Sequence, residues 1–397
     1  MCVLPHNLVD KREMAFENDI VAHAKSLAAR AKALQPLTAE EVEGIVRSMM
    51  NVQRHGPGHT IDFDALRSLL SEVGHLSHKD WAVTIQNSHR LGEVILPAGI
   101  TPTSEALFER ILHEGNWNGG VHGGGRKGGQ REKPWAVLVT GVNGIRKTTS
   151  MYQKWFPDLL SEALRAPEGA EVQPSTIELP HGGNSFFRQL DHMIATLCND
   201  EFATLYRLAS LERKENGAIT PDVVRKYTGM KAGIFSRYRT VSELLGVVLL
   251  SEAKKVRSNC LMETSGKDVA MFHYIDAVFP EGYRKLALHF TINDLGSAQA
   301  SVDARMVEEI KAGIQAVEAN DVMKVIRANA GGPYGSAVLP DVQAASDSVW
   351  NERVLSKEVG KDWYKATISI TAHASRPWSA AAVLPDGSLG KSYEFIR

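Results

Sequence analysis

The sequence predicts an α/β fold: a three-layer domain with a mainly parallel sheet, preceded by an all-helical N-terminal domain. Three observations carry this. Before residue 115, apolar residues recur at helical spacing over 20–34, 42–50, Phe63–Val73 and 104–113. From 115 to 130 the chain reads GNWNGGVHGGGRKGGQ, where backbone entropy opposes any regular element. Beyond it, short β-rich runs alternate with longer helical ones, the pattern of βα units. The expected division is a helical domain over 1–114, a linker over 115–133 and an α/β domain over 134–397, with a helical insertion near 199–240. A chain of 397 residues exceeds what one core usually serves, so two domains are expected.

In the helical domain, GHTIDFDALRSLL (58–70) resembles the end of an EF-hand loop and its exiting helix, with Ile61 at the central apolar position. The first, third, fifth and twelfth loop positions fall on Arg54, Gly56, Gly58 and Ala65, none of which brings a side-chain oxygen to calcium. A structural helix-loop-helix is expected. In the second domain, strands are expected at Trp135–Thr140, 175–179, 258–263, 285–292 and 363–371. Helices are expected at 147–155, 185–198, 241–256, 269–278, 297–317 and 341–353. The insertion is basic and aromatic in places (Arg225, Lys226, Tyr227, Arg237, Tyr238, Arg239).

Lysine plus arginine nearly equal aspartate plus glutamate, for a formal net charge of -1. This excludes a general electrostatic pull toward nucleic acid or anionic lipid. The three cysteines, Cys2, Cys198 and Cys260, lie far apart without a C-x-x-C pair, against a disulfide framework or cysteine-rich zinc site. Charges at Asp10, Lys11, Arg12 and Glu13 interrupt any signal-peptide core, and the apolar run 244–250 is too short to span a bilayer. A cytoplasmic protein is expected.

The chemistry starts where the apolar run AVLVT enters GVNGIRKTTS. A glycine-rich turn between a buried strand and a helix presents N–H groups and a positive helix end to phosphate oxygens. Gly141, Val142, Asn143, Gly144, Ile145, Arg146, Lys147, Thr148 and Thr149 form this candidate nucleotide-binding loop. Lys147 is spaced to reach the β- and γ-phosphates and Thr148 to ligate Mg²⁺, as G-x-x-x-x-G-K-[ST] requires. Arg146 replaces the second glycine. It strains the loop if φ is positive there; if φ is negative, it points outward or adds charge to the phosphates.

With its strand and helix, this string resembles the P-loop of the P-loop kinase superfamily. Over roughly 135–353 the chain looks most like the zeta-toxin and small-molecule-kinase branch, with a divergent Walker A motif. The string also resembles the signal-recognition GTPase loop, but the downstream N-K-x-D or T-K-x-D string is missing. The resemblance implies a P-loop NTPase three-layer fold, with ATP and Mg²⁺ bound and the γ-phosphoryl group passed to a hydroxyl of a small polar acceptor. It implies that Glu263, ending SNCLMETSGK, holds Mg²⁺ with Thr148. It also implies a basic aspartate near PSTIELPHGGNSFFRQLDHM, where this chain has Gly182, Gly183, Asn184 and Ser185. Asp191 is then the candidate base, with His181 and His192 as further proton acceptors. Glu178, Asn184 and Arg188 are candidate substrate contacts, although Asn184 or Ser185 equally suits a helix N-cap.

Arg305, on the helix after KLALHFTIND, is the candidate for stabilising transferred charge, ahead of Lys311. Its alternative is an intrahelical pair with Glu308 or Glu309. NAGGPYG (329–335) is a loop late enough to approach an adenine, with Tyr334 able to stack. Two other classes stay open: a nucleoside triphosphate hydrolase or switch, and a catalytically degenerate nucleotide-binding module. The expected partners are the nucleotide and the acceptor, with neither nucleic acid nor membrane, and a protein partner or oligomer contact through the N-terminal helices.

Overall fold

The computed structural model describes residues 6–53, 61–100, 105–123, 133–167, 178–213 and 217–396. Arg54, Gly56 and Gly58 of the EF-hand-like string lie outside these. Among the described residues are 15 α-helices and one seven-stranded, mostly parallel sheet, with a helical N-terminal region. None of these helices is long and apolar enough to cross a membrane.

The N-terminal helices are α1 (His6–Lys32), α2 (Ala39–Gln53), α3 (Phe63–Val73), α4 (Trp81–Ile95), α5 (Glu105–Glu114) and α6 (Trp117–Gly123). The start of α3 is set by Asp62, whose carboxylate accepts the Asp64 and Ala65 amides at 3.1 and 2.9 Å. Contrary to the expectation for the glycine-rich stretch, its first part is helical. Trp117 packs edge-on against Phe186 at 5.0 Å, so tertiary burial outweighs the entropy of the glycines in α6.

The sheet consists of β1 (Trp135–Thr140), β2 (Ser185–Arg188), β3 (Asn259–Glu263), β4 (Arg284–Ile292), β5 (Tyr364–Thr371), β6 (Ser379–Val383) and β7 (Leu389–Glu394), in the order β2-β3-β1-β4-β5-β6-β7. The first five strands pair in parallel; β6 and β7 extend the sheet antiparallel and have no counterpart among the expected strands. Residues 178 and 179 of the expected second strand are not in a strand, and 175–177 lie outside the described residues. The second strand is instead Ser185–Arg188, where a helix was expected. Two adjacent phenylalanines, each able to fill one face of a buried strand, account for the switch: Phe186 and Phe187 enter different cores.

The same alternation divides the core along β1. Ala136 and Leu138 join the helices on one face, whereas Val137 and Val139 join α8 (Phe156–Ala163) and α13 (Leu295–Glu318) on the other. The first core runs unbroken from α1–α4 through α9 (Leu190–Leu197), α10 (Asn199–Glu212) and α11 (Pro221–Lys255). The expected insertion is thus α10 plus the first part of α11. This 35-residue helix is buried on nearly all sides, starts at the Thr220 cap with Pro221 in its first turn, and carries Lys254 and Lys255 at its end. Of the basic and aromatic residues noted in the insertion, Tyr227, Arg237 and Tyr238 lie buried in it.

Candidate functional site

β1 is the topological switch point of the sheet. The chain leaves it toward β2 and β3 on one side, then crosses to β4 and β5 on the other, which opens a crevice beyond its carboxyl end. The 141–149 segment turns at that crevice and enters α7 (Lys147–Met151). Two glycines fix its path. A Cβ on Gly141 would meet the Phe290 carbonyl oxygen at 2.5 Å, and one on Gly144 the Ala298 carbonyl oxygen at 2.5 Å; their φ values are 124° and 84°. The amides of Asn143, Gly144, Ile145 and Thr148 donate to no acceptor among the described residues, so the turn presents unspent N–H groups.

Arg146 adopts the left-handed conformation (φ 63°, ψ 28°) that glycine usually takes there. Its guanidinium turns away from the loop concavity and lies over Trp378, 4.3 Å from the ring centroid, with Phe395 at 5.3 Å. The aromatic bracket compensates the backbone strain. Arg146→Gly is expected to relieve about 1 kcal/mol of strain and to lose about as much cation–π attraction. Thermal stability should then change little and, on the expectation that this loop binds nucleotide, the affinity should stay within about threefold. A tenfold loss of affinity by calorimetry, about 1.4 kcal/mol, would mean that the guanidinium reaches phosphate.

Lys147 is buried, and its Nζ donates to the carbonyl oxygens of Gly141 and Val142 at 2.8 and 2.7 Å. The same Nζ pairs with Glu263 Oε1 at 3.1 Å, while the Thr148 hydroxyl donates to Glu263 Oε2 at 2.7 Å. Burial works to raise the Glu263 carboxyl's pKa, but the Lys147 charge and the two hydrogen bonds outweigh it, so the group stays below its ordinary value. β3 places Glu263 there by pairing in register with β1, Val139 opposite Glu263. The Thr264 amide then donates to the Val139 carbonyl at 2.8 Å. Gly266 (φ 76°) completes the turn, where a Cβ would meet Thr140 at 2.7 Å.

A cavity of about 570 Å³ opens in front of this loop, with Asn143, Thr148, Glu263, Asp191 and Arg305 in its wall. Arg305 makes no ion pair or hydrogen bond among the described residues. Its expected intrahelical partners are taken, Glu308 by Lys311 and Glu309 by Lys231. Asp191, in the first turn of α9, accepts the Gly332 amide through Oδ2 at 2.6 Å, and its Oδ1 makes no hydrogen bond among the described residues. His192 also faces the cavity; burial, joined by the nearby Arg110 and Lys231 charges, holds its pKa well below the ordinary value, so it is neutral there.

The remaining candidates lie elsewhere or are engaged. Glu178 and Asn184 precede β2, at the amino end of the sheet and away from the cavity. Asn184 closes a 3₁₀ turn there, bonding the His181 amide, the Leu179 carbonyl and Glu178. The placement follows from β2 beginning at Ser185. Arg188 does reach the cavity wall, but its side chain is 1% exposed and bound to Glu243 Oε2 at 2.7 Å and the Tyr274 hydroxyl at 2.8 Å. Lys311 points to solvent beside Glu308.

The 329–335 loop, expected from the sequence to approach an adenine, lines the cavity beside Arg305 through residues 330–334, with Gly331 and Gly332 at φ 80° and 73°. It is anchored by a fully buried pair, Lys231 with Glu309, at 2.7 and 3.0 Å. Glu309 also accepts the Ala330 amide at 2.8 Å, and Lys231 donates to Asn329 Oδ1 at 2.9 Å. What escaped the sequence reading is the far wall, made by Ala28, Ala31 and Lys32 of α1, Trp81 of α4, and Phe235 and Arg239 of α11. No family model, curated protein or solved structure matches the chain.

Proposed function

We propose that the chain is an ATP-dependent phosphotransferase of the P-loop kinase superfamily, which passes the γ-phosphoryl group to a hydroxyl of a small polar acceptor. The observation that carries the reading is Arg305. Among the described residues this cation has no counter-ion, and it faces the same cavity as a turn of unspent amides backed by the buried Lys147, and as a carboxylate with a free oxygen. The first three suit an anion, the last a hydroxyl proton.

The loop amides and Lys147 hold the triphosphate, Lys147 exchanging Glu263 for phosphate oxygens. Thr148 and Glu263 offer the hard oxygens that suit Mg²⁺, which would supply neutralising charge to the phosphates. Among the described residues no group of three or more His, Cys, Asp or Glu converges as a metal site, and Mg²⁺ on a nucleotide requires only one or two carboxylates. Asp191 Oδ1 takes the acceptor's proton as its oxygen attacks the γ-phosphorus and the bond to ADP breaks. The Gly332 amide on Oδ2 sets the carboxylate's orientation. Arg305 meets the charge on the transferring group. The helices α1, α4 and α11 close the end that receives the acceptor.

The test is ADP release by the full chain with magnesium and ATP, across pools of sugars, polyols and nucleosides. Acceptor-dependent ADP is the expected result, and Arg305→Ala is expected to lower kcat about 10³-fold with ATP affinity kept within about threefold. Tight ATP binding without turnover in any pool would sink the reading. ADP release indifferent to acceptor would mark a hydrolase instead.

A further inference from the structure

Among the described residues other than glycine, a positive φ occurs at Leu34, Asn116, Arg146, Arg257, Asn320 and Lys357. All but Arg146 follow the last turn of a helix, and the amide of each donates to the carbonyl three residues back, at 3.0 or 3.1 Å. That is the ordinary left-handed closure of a helix end. Arg146 precedes α7 instead, so no helix end accounts for its conformation. What sets it apart is the position of its guanidinium over Trp378 and beside Phe395.

The two rings are brought together by the last hairpin of the chain. Trp378 stands just before β6 and Phe395 just after β7, and the Phe395 amide donates to the Trp378 carbonyl at 2.9 Å. The open end of the hairpin is moored to the segment that follows the 141–149 loop. Trp155 Nε1 donates to the Glu394 carbonyl at 2.9 Å, and its ring stacks on Tyr393 and meets Phe395 edge-on at 5.4 Å. Gln153 Oε1 accepts the Ile396 amide at 3.1 Å. None of these contacts involves Arg146, so the placement of the rings does not depend on the arginine.

A left-handed backbone at a non-glycine residue and a guanidinium on an indole have free energies of the same order and opposite sign. Take the indole away, and the backbone at 146 is drawn back to the right-handed region. The peptide units joining Ile145 to Lys147 then turn. With them moves the Arg146 carbonyl, which accepts the Ser150 amide and hydroxyl, each at 2.8 Å.

We infer that Trp378 and Phe395 are positioning residues for the nucleotide loop: by bracketing Arg146 they hold the loop in the conformation that presents its amides to phosphate. The inference rests on the phosphotransferase reading for the ligand, but the coupling of hairpin to loop can be read without one.

The test uses four full-length proteins: the native chain, Trp378→Ala, Arg146→Gly and the double variant. The magnesium complex of a non-hydrolysable ATP analogue is titrated calorimetrically, and hydrogen exchange is followed across 141–151. In the native background Trp378→Ala is expected to weaken binding about tenfold, about 1.4 kcal/mol, and to speed exchange at the Ser150 amide at least about fivefold. In the Arg146→Gly background, where the backbone needs no bracket, the same substitution is expected to change either quantity by less than about twofold. Trp378→Phe, which keeps an aromatic face, is expected to bind within about threefold of the native chain. Ring packing that merely stabilised the hairpin would lower the melting temperature equally in both backgrounds and leave affinity alone, which overturns the inference. So does equal acceleration of exchange in both backgrounds. Absence of binding by the native chain would sink the phosphotransferase reading and the role in nucleotide binding with it, while exchange still decides whether the hairpin sets the loop through Arg146.

Discussion

Replacing Lys147 by alanine is expected to lower magnesium-dependent ATP turnover by at least about 10³-fold while the chain stays folded. The lysine ammonium is held by two loop carbonyls and Glu263, all within 3.1 Å, and lies one residue from Thr148 at the cavity edge. Those partners hold it beside the unspent amides of 143–145, so on the phosphotransferase reading proposed above a triphosphate would need only a short swing of the side chain. On that reading, removing it takes away charge that a transferring phosphoryl group needs most in the transition state. The fold survives because Glu263 keeps the Thr148 hydroxyl and is one-third exposed, so water replaces the lost partner. Steady-state ADP release and a thermal melt on the same preparation check both halves. Turnover within tenfold of the native chain would exclude Lys147 as the phosphate ligand.

The second large effect is on stability. Lys231 and Glu309 are both 0% exposed, so Lys231→Met strands a carboxylate in the core and is expected to cost about 3–5 kcal/mol. The double variant Lys231→Met/Glu309→Leu removes the stranded charge and is expected to recover most of that loss, because a buried ion pair contributes little net stability. Its turnover should stay low. The pair holds Asn329 and Ala330, and the loop they begin brings the Gly332 amide to Asp191. Urea unfolding of the three proteins, with ATP turnover alongside, separates the roles. A double variant no more stable than Lys231→Met would refute the stranded-charge account, and native turnover in it would show that the loop needs no anchor.

Local signals made much of this molecule legible. The strand Trp135–Thr140, the turn glycines and the start at Lys147 were readable because an apolar run and a glycine turn encode them within 15 residues. Glu263 was readable for the same reason, as the last residue of a short apolar run. Ser185–Arg188 was not: SFFR followed by a periodic segment suits a helix or a strand, and only the empty place beside β3 selects the strand. That one shift carries Glu178 and Asn184 to the opposite end of the sheet from Asp191. Arg188 illustrates a second limit. Its burial against Glu243 and Tyr274 depends on side chains 55 and 86 residues away.

The sequence by itself determined the α/β class, the helical N-terminal region, and the strand, turn and helix around Lys147, because periodicity and turn chemistry act between near neighbours. Only the tertiary structure decided the conformation of Arg146, the freedom of Arg305 and the makeup of the cavity. Arg146 takes a left-handed conformation, and Trp378, more than 200 residues on, gives its guanidinium a face. Among the described residues Arg305 has no ion pair, and Lys231, on another helix, holds its neighbour Glu309. The N-terminal helices became part of the site because α1 packs along α11, where Gly233 lets the two backbones approach. Such outcomes depend on which distant groups share a buried volume, and a one-dimensional pattern does not record that.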